Sequence, residues 1–468
     1  MLLPDTYFLN ANEALRVAKQ QNRSDDQDQQ YLQLCYYNGE KIETDLINLI
    51  HLPMNSLVDD LSQGTYRIPT KVDFTGLDIS SEDTLSISNN IKSAIQTAQA
   101  YRAELHTIYA DRLKDSKLDF SEPLRFYLLA NTRTTVMQYV SKSIVKILKN
   151  RGYDVFLHLY HGIEDYDSLK SKFEFNPHVS ININFLMNEA ISDDTFNFTW
   201  FQDPMPFLLN ETKTILRKRD FVFSLFKTID DLLLKKEIPF QRQSFCVNSE
   251  LFKLNHSIKR EKKIVFIGSS YLDFLPENDE NIQLAAKYMI SLFHDGIIFT
   301  NKRIDEIVDK FNVNKSLITT RIIPFIIRDI AVLDLCQIKS KYKIEIYGWG
   351  WDKYEVLAPY YKGPLGYGED IAKVYNSATF AFAPHQSYIL QQRTLESSAC
   401  GAIPIVYDCR SITNEPSYSD ALIYFKTFKD IEKVLLKKAP KKNFKRLLEE
   451  NSYDAFVDKI LNIIEENK

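Results

Sequence analysis

The sequence predicts an α/β protein: two parallel-sheet units in series, preceded by a helical N-terminal region. Three observations predict it. From Leu124 onward, short apolar runs of strand type alternate with amphipathic helical stretches, which implies a parallel sheet with right-handed crossovers. The alternation restarts at Ile264 after a polar linker, residues 255–263. Glycines and polar side chains collect just after the apolar runs, where open α/β sheets bind ligands.

The 468 residues correspond to about three domains, and 44% hydrophobic with 13% aromatic content suffices for sizeable cores. A net charge of −4 argues against a general nucleic-acid binder. Five cysteines (Cys35, Cys246, Cys336, Cys400, Cys409) form no C-x-x-C pair and read as reduced thiols of a cytoplasmic protein. The first twenty residues lack the apolar core of a signal peptide. The most apolar stretch, residues 318–336, is broken by Arg321, Pro324, Arg328 and Asp329 and cannot span a bilayer. The sequons at Asn22, Asn197, Asn210 and Asn314 are then without consequence.

Residues 1–120 read as mostly helical, with stretches at 12–20, 27–37, 43–51 and 84–114 and one short strand at 65–68. They carry no catalytic constellation and suit an accessory module for oligomerisation or for a partner protein. The first sheet unit, to about residue 255, has strands at 124–130, 154–159, 179–185, 196–201, 221–226 and 243–247. Polar residues follow them: Asn131, Thr132 and Arg133, then His161, Asn188, Gln202 and Asp203. Asp203 and His161 are the candidate bases for an incoming hydroxyl, with a structural hydrogen-bonding role the alternative for each.

The second unit, residues 256–440, opens with a strand at 264–267 running into Gly268-Ser269, where a glycine lets backbone N–H groups approach a ligand. Helices are expected at 278–293 and 302–311, and at 316–339 with an interruption at Pro324. A strand at 343–347 ends in Gly348-Trp-Gly-Trp351. Residues 363–409 then supply a Gly/Pro turn (Gly363, Pro364, Gly366, Gly368), a helix at 369–377, a buried strand at 379–383 ending at His385, a helix at 392–400 and a strand at 403–407. Arg393 and Glu396 lie three apart on one helix face near its N-terminus. A cation, a carboxylate and a helix N-terminus at the mouth of a parallel sheet suit a phosphate plus a sugar hydroxyl. Residues 441–466 read as one closing amphipathic helix, which could cross back to the first unit.

Two further stretches invite other readings. Residues 304–322 imitate a helix-turn-helix but lack a basic stripe, so no nucleic-acid partner is expected. Residues 433–446 carry seven Lys/Arg and no acid, a solvated face or a peripheral contact with an anionic membrane.

The motifs FIGSSY, IEIYGWGW, GPLGYGEDIAKVYNSA and QQRTLESSACGAIPIV, in this order, resemble the CgeB-like (spore-maturation-protein-type) glycosyltransferases. WFQDPMP and FCVNSELF also fit, and the resemblance spans roughly residues 124–425. It implies the GT-B class, two facing Rossmann-like domains with a cleft between them, and transfer of a sugar from a nucleotide donor without a metal or other cofactor. In that picture Glu396 holds the ribose hydroxyls, and Gly363, Leu365, Gly366 and Tyr367 lie against the base. Gly268 and Ser269 offer donors to the phosphates, Gly348 belongs with the donor-binding residues, and Arg393 neutralises the leaving group. His385 contacts donor sugar or phosphate, or is structural. Asn131, Arg133 and Thr134 stand on the acceptor side. The acceptor implied is a bacterial surface glycan or a protein such as flagellin.

The chain departs from the wider retaining group, which carries two glutamates eight positions apart. Glu396 matches the second, but the first position is Tyr388, so a retaining mechanism does not carry over. No Arg/Lys pair for a diphosphate is evident after Gly268, which leaves a CMP-linked acid sugar open as donor. The alternatives are a non-catalytic sugar-nucleotide-binding or scaffold protein and a UDP-sugar epimerase on the same plan.

Overall fold

The computed structural model describes all residues except 1–4, 22–32, 47, 65, 132–134, 161–165, 211–214 and 277–278. The fold is α/β, with three wholly parallel sheets and Rossmann-like strand–helix alternation. The chain forms two compact units, residues 1–200 with 213–222 and 467, and residues 201–212 with 223–466 and 468.

In the first unit the helical reading of residues 1–120 is corrected. Strands β1 (Thr6–Phe8), β2 (Cys35–Tyr37), β3 (Leu49–His51) and β4 (Lys71–Asp73) form a parallel sheet in the order β3-β2-β1-β4. Each has three residues, too few to show a period of two, and β2 and β3 fell inside stretches whose apolar spacing imitated a helix. No strand forms at 66–68. The expected long helix is present as Ser81–Asp115, capped by the Ser80 side chain on the Asp83 N–H. Tyr7, Tyr36, Leu57, Leu61, Ile91 and Ala98 form a core between sheet and helices.

Strands β5 (Arg125–Asn131), β6 (Asp154–Tyr160), β7 (Val179–Ile183), β8 (Phe196–Phe201), β9 (Asp220–Ser224) and β10 (Gln241–Arg242) order as β10-β9-β8-β7-β5-β6. β7 and β8 are buried at every residue, as inner parallel strands must be. Their polar side chains are internally paired: the Asn182 amide donates to Asn197 Oδ1 (2.7 Å), and Asn197 donates to Asp220, which is salt-bridged to Arg217 at 2.8 Å.

The second unit holds the sheet β12-β11-β13-β14-β15, built from β11 (Lys263–Ile267), β12 (Lys343–Tyr347), β13 (Phe380–Phe382), β14 (Ile403–Tyr407) and β15 (Ile423–Phe425). β15 and the helix after it, Phe428–Leu436, were not anticipated. Residues 315–337 are helical without a break at Pro324. Two π segments, Ile318–Ile322 and Ile326–Ile330, flank the α turn Ile323–Phe325. The wider π turns relieve the clash and missing donor that Pro imposes on an α-helix. The closing stretch is two helices, Lys445–Glu450 and Tyr453–Asn467, because Asn451 leaves helical geometry and the Ser452 side chain caps a new start on Ala455 N–H. The last helix packs on Phe223 through Phe456, and Lys459 donates to Gln243 Oε1 at 2.8 Å. All five cysteines are free and buried. Among the described residues no helix is long and apolar enough to cross a membrane.

Candidate donor site

The site lies at the carboxyl ends of β11, β12 and β13 and is built on close backbone contacts that only glycine permits. A Cβ on Gly348 (φ +129°) would fall 2.3 Å from the Gly268 carbonyl oxygen, and a Cβ on Gly268 would fall 2.9 Å from both terminal nitrogens of Arg393. Gly348 N–H donates to the Gly363 carbonyl (3.1 Å), and Trp351 Nε1 donates to Gly268 O (2.6 Å). Gly268, Gly348 and Gly363 therefore meet as one floor, and the Arg393 guanidinium lies across the first of them.

Arg393 and Glu396 enter from the helix Gln392–Ala399. Arg393 stands over the Phe266 ring at 5.5 Å, and its Nη1 is buried without a hydrogen-bond partner. Glu396 is 6% exposed and accepts from the Tyr367 hydroxyl at 3.2 Å. Burial pushes its carboxyl up to about 7, against the opposing pull of Tyr367 and Arg393. Tyr367 packs edge-on against Phe252, and Tyr453, at the start of the last helix, lies within electrostatic reach of both Tyr367 and Glu396. Leu365 is half-buried and Gly366 exposed on the same turn.

The residue that sequence reasoning missed is Arg328. It projects from the second π segment, is 7% exposed, and donates Nη1 to the Ser269 carbonyl at 3.2 Å. Its guanidinium lies 3.8 Å from the Tyr271 ring centroid, and Nε is buried with no partner. Burial, with Arg393 nearby, pulls its pKa down to about 10. The neighbouring Asp329 is fully buried. It accepts from the Ser270 hydroxyl, the Tyr271 N–H (3.0 Å) and the Tyr354 hydroxyl (2.9 Å), which fixes the 269–271 turn. Two guanidinium groups thus rest against consecutive residues, Gly268 and Ser269, each with an unsatisfied nitrogen. No such pair is evident in the sequence directly after Gly268; the two cations come from positions 328 and 393. The signal was in the sequence: Arg328-Asp329 stand in the most apolar stretch of the chain, and buried charges require a partner or a ligand.

His385 and Tyr388 complete this side, their ring centroids 4.1 Å apart. Burial, then Arg328 and Arg393, hold His385 well below its ordinary pKa, so it is neutral. Tyr388 packs on Phe226 and Phe245, and burial with the charges of Tyr271 and Asp203 pushes its hydroxyl up. Asp203, exposed after β8, is therefore within electrostatic reach of Tyr388. Glu415 anchors the 385–391 loop by accepting the N–H groups of Ile389 (2.8 Å) and Leu390 (3.2 Å). Arg133, Thr134 and His161 lie outside the described residues, as does the side chain of Asn131, whose backbone ends β5. Among the described residues no cluster of three His, Cys, Asp or Glu could hold a metal ion.

Residues 330–462 match the family model described as glycosyl transferase-like. No curated protein matches the chain. Similar solved structures include sucrose-phosphate synthase from Thermosynechococcus elongatus, at 9% identity over 74% of this chain and 99% of that one, with TM-score 0.46. Others are the Anabaena HepE in complex with UDP and glucose (8%, 72% and 99%, TM-score 0.44) and WaaG, a glycosyltransferase involved in lipopolysaccharide biosynthesis (11%, 71% and 95%, TM-score 0.35). The matched stretch takes in β12 to β15 with Arg393 and Glu396.

Proposed function

We propose that the protein is a GT-B glycosyltransferase of the CgeB-like type that moves a sugar from a nucleoside-diphosphate donor to an acceptor hydroxyl. The observation that carries the reading is the pair Arg393 and Arg328, each with a buried guanidinium nitrogen lacking a partner, against Gly268 and Ser269. Two desolvated cations at one strand end need more negative charge than a single phosphodiester supplies, so a diphosphate is favoured over the CMP-linked alternative. Glu396, one turn along the helix from Arg393, accepts the ribose hydroxyls as a carboxylate.

The transfer is a displacement at the anomeric carbon. The acceptor oxygen attacks, the bond from that carbon to the diphosphate oxygen breaks, and the acceptor proton passes to Asp203. Arg393 and Arg328 stabilise the negative charge that builds on the departing diphosphate, where fixed donors lower the barrier most. Tyr388 replaces the carboxylate that would otherwise hold the donor sugar, and Asp203 serves as base in an inverting reaction. The guanidinium pair supplies the positive charge that a metal would otherwise bring, so chelators should leave activity intact.

Incubation with a panel of UDP-, GDP-, TDP- and CMP-sugars, with and without acceptor extracts, tests this by release of free nucleotide. Acceptor-dependent release of a nucleoside diphosphate, lost in Asp203→Asn with nucleotide binding retained, is the expected result. No release from any donor, or conversion of a UDP-sugar to its epimer without acceptor, contradicts it.

A further inference from the structure

The helix Phe428–Leu436 turns Ile431 and Leu435 into the core. Its opposite face carries Lys429, Lys433 and Leu436, spaced by four and three, which lines them up along one stripe. Leu436, the last residue of the helix, is 67% exposed on this stripe. Cations flank it, beside the exposed Glu432 one turn earlier. Lys433 is 72% exposed and only loosely paired with Asp430 at 3.8 Å. Lys437, Lys438 and Lys441 follow on the exposed loop, and Lys341 Nζ lies 3.4 Å from the Leu436 carbonyl oxygen. The loop is held in place by Lys442, which donates to the carbonyls of Ser419 and Leu422 at 2.7 Å each. Seven Lys/Arg without an acid in residues 433–446, on a chain of net charge −4, is a local concentration of charge.

From this juxtaposition we infer that the 429–441 edge is a peripheral docking surface for an anionic phospholipid membrane. The lysine ammonium groups meet lipid phosphates while their stems cover the acyl boundary, and Leu436 enters the apolar layer between them. A nucleic acid or an acidic protein would satisfy the lysines but leave Leu436 in water, so the lipid surface is the better fit.

Cosedimentation of the full chain with vesicles of phosphatidylcholine alone and of phosphatidylcholine with 30% phosphatidylglycerol tests it. Binding is expected only to the anionic vesicles and should be released by about 0.5 M salt. Reversing Lys433, Lys437 and Lys438 to Glu should lower the partition at least about a hundredfold, since each lysine near a charged bilayer contributes roughly 1 kcal/mol. Leu436→Asn, which removes the apolar side chain without adding charge, should weaken vesicle binding with no change in binding to a single-stranded oligonucleotide. Melting curves on the same variants establish that they are folded. Equal binding to both vesicles, no binding to either, an unaffected lysine variant, or oligonucleotide binding tighter than vesicle binding would each overturn the proposal.

Discussion

In the proposed nucleotide site, Glu396 is a pH-sensitive contact. Burial holds its carboxyl near 7 in the ligand-free protein, against an ordinary value of 4.5. Ribose hydroxyls donate to the ionised form, so nucleotide affinity should rise by about tenfold from pH 6 to pH 8 and level off above. Isothermal titration at three pH values reads this directly, and a flat profile would remove Glu396 from the ribose site. The same shift sets a stability cost. Because the folded value is raised, the stabilisation is complete below the unfolded pKa and lost as pH climbs through 7. Glu396→Gln should therefore stabilise the ligand-free protein by up to about 3 kcal/mol at pH 8, and by almost nothing at pH 4, while weakening nucleotide binding. A variant less stable than the parent at pH 8 would mean that its carboxylate is held by partners beyond Tyr367. Burial raises the Asp329 carboxyl as well, but Asp329 is tied to more partners. It accepts three hydrogen bonds in full burial, and Asp329→Ala should cost about 3–5 kcal/mol, the loss expected when a buried charge network is broken.

At the level of elements, the glycine floor and the π-helix set the site. Gly348→Ala places a methyl 2.3 Å from the Gly268 carbonyl at a φ that L-residues avoid, so it should cost about 1–3 kcal/mol or more and weaken nucleotide binding with it. Thermal melts and nucleotide titrations check both, and a variant with parental stability would show that β11 and β12 can separate. Gly268 and Gly348 were legible in the sequence because each directly follows a short strand-type run, residues 264–267 and 343–347, and Gly363 because it opens a Gly/Pro turn. The same holds for Arg393 and Glu396, whose helical spacing is local. Arg328 was not legible as a partner of Arg393, since the two are 65 positions apart and Pro324 suggested that the helix between residues 315 and 337 is broken. The structure keeps that helix continuous through two π segments, and the second aims Arg328 at Ser269. The small sheet β1–β4 was hidden for a different reason. Three-residue strands carry too little pattern, and non-local pairing, not local spacing, makes them strands.

For the whole molecule, we propose that the second unit binds a nucleoside diphosphate through a guanidinium pair. Residues 330–462, which match the glycosyl transferase-like family, contain Arg393, Glu396 and Tyr367 and begin just after Arg328. The family match therefore takes in the helix of Arg393 and Glu396, but Arg328 stands outside it. The most direct measurement is calorimetric titration of paired nucleotides, UDP with UMP, GDP with GMP and TDP with TMP, against the parent chain and Arg328→Ala. For the base that binds, the diphosphate should be at least about tenfold tighter than its monophosphate, because each charged hydrogen bond contributes about 1.5–3 kcal/mol. Arg328→Ala should erase most of that difference and leave monophosphate binding nearly unchanged. Equal affinity for mono- and diphosphates in the parent chain, or a diphosphate preference that survives in Arg328→Ala, would contradict the account.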